Sequence, residues 1–365
     1  MALPASTLRT EGDSSFPVRE VASGIDALYL SGSTDLSTRL FADLAALRTA
    51  AQEADQPQPL MLGGEEFQVE PAPFGKYRYR LRHPWGLVGV TESKRLPALR
   101  VQPFAEFLHA VGPSEALRFF GGVGEYLAAG PVHWGLSRLD LFCDVQGWAL
   151  AGDDRHRFVC QSRRRDLHEE GQALTGFEFG RRSTKTICAR IYDKTLQVQL
   201  KGLDWWYDIW GDRFDPERQV LRVEFEIGRE GLTSFAIDTP DDGLRLASAV
   251  WASVCGDWLS YKTPTSDQTP SRWPEATEWA TIRGASVAGD AVGLARIRAG
   301  KRQGNLRVLT AALVGYLASV GAVLDLTDAD STLGAVRRLV ADDEIRRGIP
   351  FPRRIADRAA ALGSL

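Results

Sequence analysis

The chain contains 365 residues, of which 44% are hydrophobic and 25% are charged, and its formal net charge is −3. This composition excludes an intrinsically disordered protein, and the length allows about two domains with cores of their own. The 44 Lys and Arg residues balance 47 Asp and Glu residues, so the total charge alone argues against binding of long polyanions such as DNA.

Strand and helix patterns alternate through the first third of the chain, after a polar segment at residues 1–20 that we expect to be flexible. Apolar residues at helical spacing predict helices, and alternating or short apolar runs predict strands. Ser114 is the predicted N-cap of the third helix. The predicted helices cover residues 35–53, 103–110 and 114–129, and the predicted strands cover residues 24–30, 76–81 and 86–90.

Three later segments alternate apolar and polar residues over eight or nine positions. They read SRLDLFCDV at residues 137–145, TICARIYDK at 186–194 and VLRVEFEI at 220–227. A period of two is typical of antiparallel strands that bury one face. Three separate surface strands would show the same periodicity, so their pairing in one sheet is a second expectation.

The last third of the chain has a different pattern. Pro, Ser, Thr and Asp dominate residues 263–274, which predicts a linker, and residues 275–365 show helical patterns. We therefore expect an α+β fold, with antiparallel sheets flanked by helices over residues 21–262 and an all-helical C-terminal domain. From Thr281 onward, 13 basic and 8 acidic residues give +5, which leaves −8 for the residues before it.

Neither a membrane nor an oxidising compartment is expected. Residues 306–326 are the most apolar stretch, but Arg307 and Asp325 interrupt it, which favours a core helix over a membrane span. The four cysteines lack the spacing of a zinc site, and a chain of this length does not need a disulfide scaffold. We expect a cytoplasmic protein.

Acids, cations and one phenol share the polar faces of the three alternating segments. Residues two apart on a strand point the same way, so carboxylates from neighbouring strands can converge. Hard oxygen ligands suit Mg²⁺ or Mn²⁺, and a divalent ion beside a tyrosine and cations fits phosphoryl transfer. The acids are Asp140, Asp144, Glu224 and Glu226, the cations are Arg138, Arg190, Lys194 and Arg222, and the phenol is Tyr192.

Each of these patterns has a simpler alternative. The polar strand faces could be a ladder of cross-strand ion pairs on a solvated sheet. The run DWWYDIW at residues 204–210 could stack on bases, but the helical spacing of Trp206 and Trp210 favours core packing. A solvated face is the alternative to DNA-backbone contact for the basic residues Arg163, Arg164, Arg165, Arg181, Arg182 and Lys185.

The three segments together resemble a known family. GRRSTKTICARIYDKTLQ at residues 180–197 is similar to the active-site motif of plasmid and phage rolling-circle replication initiators of the Rep_trans type. SRLDLFCDV resembles that family's R-[IL]-D-hydrophobic-x-x-D strand, and LRVEFEIGREGL at residues 221–232 resembles its R-x-E-[FL]-E strand. The segments follow the family's order, although TLQVQL after Lys194 departs from the many members that carry an acid there.

The resemblance implies an enzyme that nicks origin DNA through a tyrosine and a divalent metal, Mg²⁺ or Mn²⁺, and so initiates rolling-circle replication. Tyr192 would form a 5′-phosphotyrosine and release a 3′-OH primer, while Arg190 and Lys194 would contact the scissile phosphate. Asp140, Glu224 and Glu226 would hold the metal. Arg138, Asp144 and Arg222 would support these residues.

Other functions remain open at this point. A relaxase of a conjugative or integrative element would use the same chemistry on another DNA target, and a non-enzymatic origin-binding protein would keep the fold without cleavage. A protein unrelated to DNA is the third alternative. The expected partner is origin DNA, single-stranded or extruded as a hairpin, and a host helicase and a second copy of the chain are further candidates.

Overall fold

The computed structural model describes residues 17–170, 173–182, 186–287, 313–314, 317–318 and 320–356. The chain divides into two compact units, residues 1–300 and residues 301–365. The segment expected to be a linker, residues 263–274, therefore lies inside the first unit and not at the division between the units.

A single antiparallel sheet of eleven strands forms the centre of the first unit, and two further strands form a small second sheet. The strands are β1 (Arg19–Ser33), β2 (Gln58–Leu62), β3 (Glu65–Val69), β4 (Tyr79–His83), β5 (Gly86–Val90), β6 (Leu99–Pro103), β7 (His133–Gln146), β8 (Phe158–Cys160), β9 (Arg165–Glu170), β10 (Ala173–Phe179), β11 (Ile187–Asp193), β12 (Leu221–Gly228) and β13 (Leu259–Tyr261). The large sheet has the order β2-β3-β4-β5-β6-β1-β7-β12-β11-β10-β9, and β13 pairs with β8.

The three alternating segments are neighbours in this sheet, as β7, β12 and β11. The long strand β1 joins them to the N-terminal strands, because it pairs with β7 on one side and β6 on the other. Its pairing with β7 shifts register three times, and one shift falls between Ile25 and Ala27. Bulges of this kind place two successive residues opposite one, and they redirect a side chain that regular alternation would place elsewhere.

Helices cover the sheet and complete an α+β fold. The helix α1 begins later than predicted, after Ser37, whose side chain accepts a hydrogen bond from Leu40 N. The N-cap of α3 is Gly112 and not Ser114, because Pro113 occupies the first helical position, where no N–H is needed. The helices are α1 (Thr38–Ala54), α2 (Ala105–Val111), α3 (Pro113–Leu127), α4 (Lys194–Lys201), α5 (Trp205–Trp210), α6 (Arg229–Ser234), α7 (Pro240–Ser253), α8 (Thr277–Arg283) and α9 (Ala329–Arg347).

Two cores occupy opposite faces of the sheet. The larger core lies on the apolar face and includes residues of α1, α2, α3, α7 and α8. A smaller one lies on the polar face, where Trp206 and Trp210 of α5 and Val198 of α4 pack on Phe142. All eight residues of β12 are buried as a result, so the expectation that this strand buries only one face is wrong.

The segment after β13 returns to the first unit. Residues 263–274 form a loop that closes on itself, since Thr263 N donates to Pro274 O and Lys262 pairs with Glu275. In the following helix α8, Trp279 is fully buried, and its indole N–H donates to Cys255 O at 2.7 Å. Residues 275–287 therefore belong to the sheet unit because their aromatic and aliphatic side chains complete its core.

In the second unit, Asp328 caps the N-terminus of α9 by accepting a hydrogen bond from Ser331 N. Of the apolar stretch 306–326, residues 306–312, 315–316 and 319 lie outside the described residues, and the side chains of Leu313 and Val323 are exposed. No helix within the described residues is long and apolar enough to span a membrane.

Candidate active site

The register of the sheet brings the predicted polar residues into contact. Asp140 on β7 lies directly opposite Glu226 on β12, and Glu224 lies directly opposite Arg190 on β11. Residues directly opposite each other in an antiparallel pair point to the same face, so these side chains form one group. The carboxylates of Asp140, Glu224 and Glu226 come together, as the sequence predicts.

Burial distinguishes this group from a solvated ladder of ion pairs. Asp140 is 1% exposed, Glu224 2% and Glu226 4%. Carboxylates removed from water to this degree are costly unless cations or hydrogen-bond donors compensate for the lost hydration. The simple alternative of a solvent-facing ladder therefore does not describe these three strands.

Tyr192 lies within this group. Its hydroxyl donates a hydrogen bond to Glu224 Oε2 at 2.9 Å, while Arg190 pairs with Glu224 Oε1. The Arg190 guanidinium lies 5.3 Å from the centre of the Tyr192 ring. We call these three residues, together with Arg138, Asp140 and Glu226, the tyrosine cluster.

The phenol of Tyr192 is protonated in this arrangement. Burial raises the pKa of Tyr192 well above its usual range, the negative charge of Glu224 raises it further, and the opposing effects of Arg222 and Arg190 are smaller. A phenol is a weak nucleophile until it loses its proton. The chemistry of Tyr192 thus needs a proton acceptor, and Glu224 is the group already in contact.

Arg138 binds the other two carboxylates of the cluster. Its Nε donates to Asp140 Oδ1 at 2.7 Å, and its Nη2 lies 2.9 Å from Glu226 Oε2. Arg182 Nε lies 3.5 Å from the same Glu226 oxygen, so the exposed Arg182 side chain brings a second cation to it. Burial and the neighbouring Glu224 and Glu226 raise the pKa of Asp140 to about 7, in spite of Arg138.

The tyrosine cluster therefore carries more buried carboxylates than buried cations. Three buried carboxylates share the part-buried Arg138 and Arg190, and the exposed Arg182 approaches Glu226 from solvent. The raised pKa of Asp140 indicates demand for more positive charge beside these carboxylates, which a hard cation would meet. Among the described residues, no group of three or more His, Cys, Asp or Glu side chains is arranged to hold a metal ion. Asp140 and Glu226, which both contact Arg138, are the two carboxylates of the cluster that do not contact Tyr192.

A second polar group lies on the same face, toward the other end of the strands. Arg222 forms two hydrogen bonds with Asp144, at 2.7 and 2.8 Å, and a third with Asp26 at 2.9 Å. Its guanidinium carbon lies 4.0 Å from the ring centres of both Phe142 and Trp206. We call Asp26, Asp144, Lys194 and Arg222, with these two aromatic rings and Trp210, the Arg222 cluster.

Aromatic residues close this second cluster from solvent. Trp206 and Trp210 are both 1% exposed, which confirms core packing over base stacking for the DWWYDIW segment. The indole N–H of Trp210 donates to Asp144 Oδ2 at 2.8 Å. Although burial raises the pKa of Asp26, Arg222 together with His109 and Lys194 holds it well below its usual range. Both carboxylates of the cluster are therefore paired with Arg222.

Lys194 lies in the Arg222 cluster, although the resemblance implies phosphate contact for it. It is 3% exposed, and its Nζ donates to Gln197 Oε1 at 2.7 Å and lies 4.4 Å from the Trp206 ring centre. The Tyr192 ring centre is farther away, at 6.0 Å. Burial, with the nearby charge of Arg222, lowers the pKa of Lys194 to about 8.

An open groove of about 390 Å³ adjoins Tyr192 on the side of β10 and β9. Arg190 and Tyr192 form part of one wall, and Leu200 and Lys201 at the end of α4 are exposed at the rim. Part of the Tyr192 side chain therefore borders a groove that is open to solvent. Other lining residues include His168, Gly176, Glu178 and Arg182.

The predicted DNA-binding arginines lie near this groove and are solvent-exposed. Arg163, Arg164 and Arg165 lead into β9, and Arg181 and Arg182 follow β10. Arg164 pairs with Asp166 at 2.7 Å, so part of its charge is neutralised within the chain. Lys185 lies outside the described residues.

Two titratable residues of this face, Asp26 and His109, were not predicted from the sequence. Asp26 reaches Arg222 from β1, and His109 of α2 lies 3.4 Å from Asp26. A single acid in the otherwise apolar strand GIDALYL was the available signal for Asp26, because a buried carboxylate requires a cation. Nothing in the sequence indicated which cation would pair with it.

Comparisons with known proteins give little further guidance. No family model matches the chain, and no curated protein matches it. A solved structure of a rolling-circle replication initiator protein from Geobacillus stearothermophilus is similar over 75% of this chain and 99% of that chain, with 16% identity and a TM-score of 0.43. Functional inference therefore depends on the residues of the site.

Proposed function

We propose that this protein is a DNA strand-nicking and joining enzyme that uses Tyr192 as its nucleophile and initiates rolling-circle replication of a plasmid, phage or integrative element. The contact that carries the proposal is the hydrogen bond from the Tyr192 hydroxyl to Glu224, beside an open groove and a buried excess of carboxylates. The three motifs that resemble the Rep_trans type support it. We propose the cytoplasm as its location.

The chain's own residues supply the steps of strand transfer. Glu224 accepts the phenolic proton as the Tyr192 oxygen attacks the scissile phosphorus. The bond from phosphorus to the 3′-oxygen breaks, that oxygen takes up a proton, and the 5′-phosphate stays on Tyr192. Arg190, which already lies over the phenol, stabilises negative charge on the phosphate oxygens. Attack of a 3′-OH on the phosphotyrosine reverses these steps and joins the strand.

Asp140 and Glu226 are the residues that would hold Mg²⁺ or Mn²⁺. Such an ion is commonly bound through one or two carboxylates together with substrate phosphates, so a set of three protein ligands is not required. When bound, it would neutralise charge on the phosphate and on the carboxylates beside it. Glu224, which the resemblance assigns to the metal, is assigned here to Tyr192 instead because it already accepts the phenolic hydrogen bond.

Covalent capture tests the proposal directly. A pool of random-sequence single-stranded oligonucleotides, labelled at either end, is incubated with the protein and Mn²⁺ and then resolved under denaturing conditions. We expect protein to carry the 3′ label and not the 5′ label, because the 5′-phosphate remains on the tyrosine. Mass spectrometry should locate the adduct on the peptide that contains Tyr192.

Tyr192→Phe is the matched control, since it removes one oxygen and keeps the ring. This variant should form no adduct while its unfolding temperature stays close to that of the parent. Adduct formation by Tyr192→Phe, or capture of the 5′ label, would contradict the assignment. If the parent protein captures neither label but still retains the oligonucleotides reversibly, a non-enzymatic DNA-binding protein becomes the better description.

A further inference from the structure

The polar face of the sheet continues beyond the tyrosine cluster onto the N-terminal strands. Arg80 on β4 lies directly opposite Gly89 on β5, Gly89 opposite Arg100 on β6, and Arg100 opposite Ser31 on β1. Residues paired in this way share one face of the sheet. Arg80 and Arg100 thus form a row on the same face as the tyrosine cluster.

Both arginines lack an acidic partner. Within the described part of the chain neither forms an ion pair with a carboxylate, whereas the neighbouring Arg78 and Arg82 face Glu92 and Glu70 at 3.8 and 3.9 Å. The Arg80 Nε atom is buried without any hydrogen-bond partner. Guanidinium groups left unneutralised on a sheet face are suited to bind an anion.

Aromatic rings alternate with these cations. Gly89 leaves room for the Phe74 ring between the two arginines, because a Cβ at that position would lie 2.9 Å from the Phe74 side chain. The Arg100 guanidinium lies 4.7 Å from the Phe74 ring centre, and the Arg138 guanidinium lies 4.9 Å from that of Tyr29. Alternating cations and aromatic rings are typical of surfaces that bind single-stranded nucleic acids, where bases stack and phosphates pair.

Tyr29 connects this row to the tyrosine cluster. It lies directly opposite Arg138, which binds Asp140 and Glu226. Six inter-strand steps separate β4 from β11, about 29 Å at the usual spacing of about 4.8 Å. That distance is long enough for several nucleotides on one side of Tyr192, while the groove beside β10 lies on the other side.

We propose that Arg80 and Arg100, with Phe74 and Tyr29, form a binding track for the phosphodiester backbone of single-stranded DNA on one side of the scissile phosphate. The groove that Tyr192 lines holds the strand on the other side. This inference rests on the proposed nicking function. It assigns DNA contact to a region that the sequence left without a role.

Reversible binding tests the track separately from cleavage. The oligonucleotide recovered from the covalent adduct is titrated against Tyr192→Phe and against Tyr192→Phe with Arg80→Gln and Arg100→Gln, at several salt concentrations. Loss of a charged hydrogen bond should weaken binding by about tenfold for each arginine. The slope of log affinity against log salt should fall by about 0.7 for each lost phosphate contact. Arg118→Gln is the control, because that arginine is exposed on α3, which packs on the opposite face of the sheet.

Truncation of the oligonucleotide then locates the track. Shortening the oligonucleotide from one end, relative to the mapped nick, should abolish the difference in affinity between Tyr192→Phe and the variant that also carries Arg80→Gln and Arg100→Gln. Shortening from the other end should preserve that difference. The track is wrong if the two arginine substitutions leave the affinity of Tyr192→Phe unchanged, or if Arg118→Gln lowers that affinity equally. Neither result would affect covalent capture by Tyr192. If the Tyr192→Phe parent binds no oligonucleotide at all, the track and the proposed function are both wrong.

Discussion

The tyrosine cluster and the Arg222 cluster lie on one face of the same three strands and contain the same kinds of side chain. They differ in charge balance. In the tyrosine cluster, three buried carboxylates share two part-buried arginines and the exposed Arg182, whereas in the Arg222 cluster Asp26 and Asp144 lie with the fully buried Arg222 and with Lys194. They also differ in closure, since Trp206 and Trp210 cover the Arg222 cluster and an open groove adjoins Tyr192.

This difference separates a structural role from a chemical one. Every charge in the Arg222 cluster has partners, so a ligand has nothing there to neutralise. In the tyrosine cluster, burial and the nearby carboxylates raise the pKa of Asp140 to about 7 in spite of its contact with Arg138. A perturbed pKa next to a nucleophile in the wall of a groove is typical of functional sites. Variants that affect stability and chemistry differently can test this division.

Arg222→Leu should produce the largest loss of stability. The substitution leaves Asp144 and Asp26 buried without their main cation, and breaking a buried pair in this way costs about 3–5 kcal/mol. Urea unfolding followed by tryptophan fluorescence measures the loss. Arg190→Leu is the matched control on the neighbouring strand, and it should cost clearly less because Glu224 retains the Tyr192 hydroxyl. Equal losses in both variants would remove the distinction between the clusters.

Glu224→Gln should affect the chemistry more than the stability, the opposite of what we expect for Arg222→Leu. The amide keeps the shape and can still accept the phenolic hydrogen bond, but it cannot take the proton, so the rate of adduct formation should fall about 100-fold or more. Stability should change little. Asp144→Asn in the Arg222 cluster is the control: it should lower the unfolding temperature and leave the rate per folded molecule close to the parent's. A Glu224→Gln rate equal to the parent's would exclude Glu224 as the proton acceptor.

Asp140→Asn should weaken Mn²⁺ binding about tenfold, measured by calorimetry without DNA, because one of two proposed ligands loses its charge. In the parent, the pKa of about 7 at Asp140 means that the ion must displace a proton at lower pH. Affinity should therefore rise as pH increases toward 7 and level off above it, and the variant should lose this dependence. Asp26→Asn should bind Mn²⁺ as the parent does. An unchanged pH profile in Asp140→Asn would place the ion elsewhere.

The sequence predicts which polar residues share a face of the sheet, but it does not predict that they divide into two clusters. Alternation in β7, β11 and β12 places Asp140, Glu224 and Tyr192 on polar faces, and the structure confirms it. The order β7-β12-β11 depends on pairing between residues far apart in the chain, which local periodicity does not encode. The bulge beside Asp26 and the closure by α5 follow from such long-range contacts. The sequence predicts α8 as a helix, but its packing in the core of the sheet unit was not predicted, because a Pro-rich segment precedes it.

Lys194 tests the boundary between the two clusters and should give the smallest effect. The resemblance implies that it contacts the phosphate, whereas the structure places it in the Arg222 cluster. Burial and Arg222 lower its pKa to about 8, below its usual value, so the folded chain releases this proton before the unfolded chain does. Stability from this residue therefore increases as pH rises above 8, and one pH unit corresponds to about 1.4 kcal/mol at most. Unfolding free energies at pH 8 and pH 9 should show this gain in the parent and not in Lys194→Met. If Lys194→Met keeps the gain but loses adduct formation, Lys194 acts at the phosphate, and the boundary between the two clusters must be redrawn.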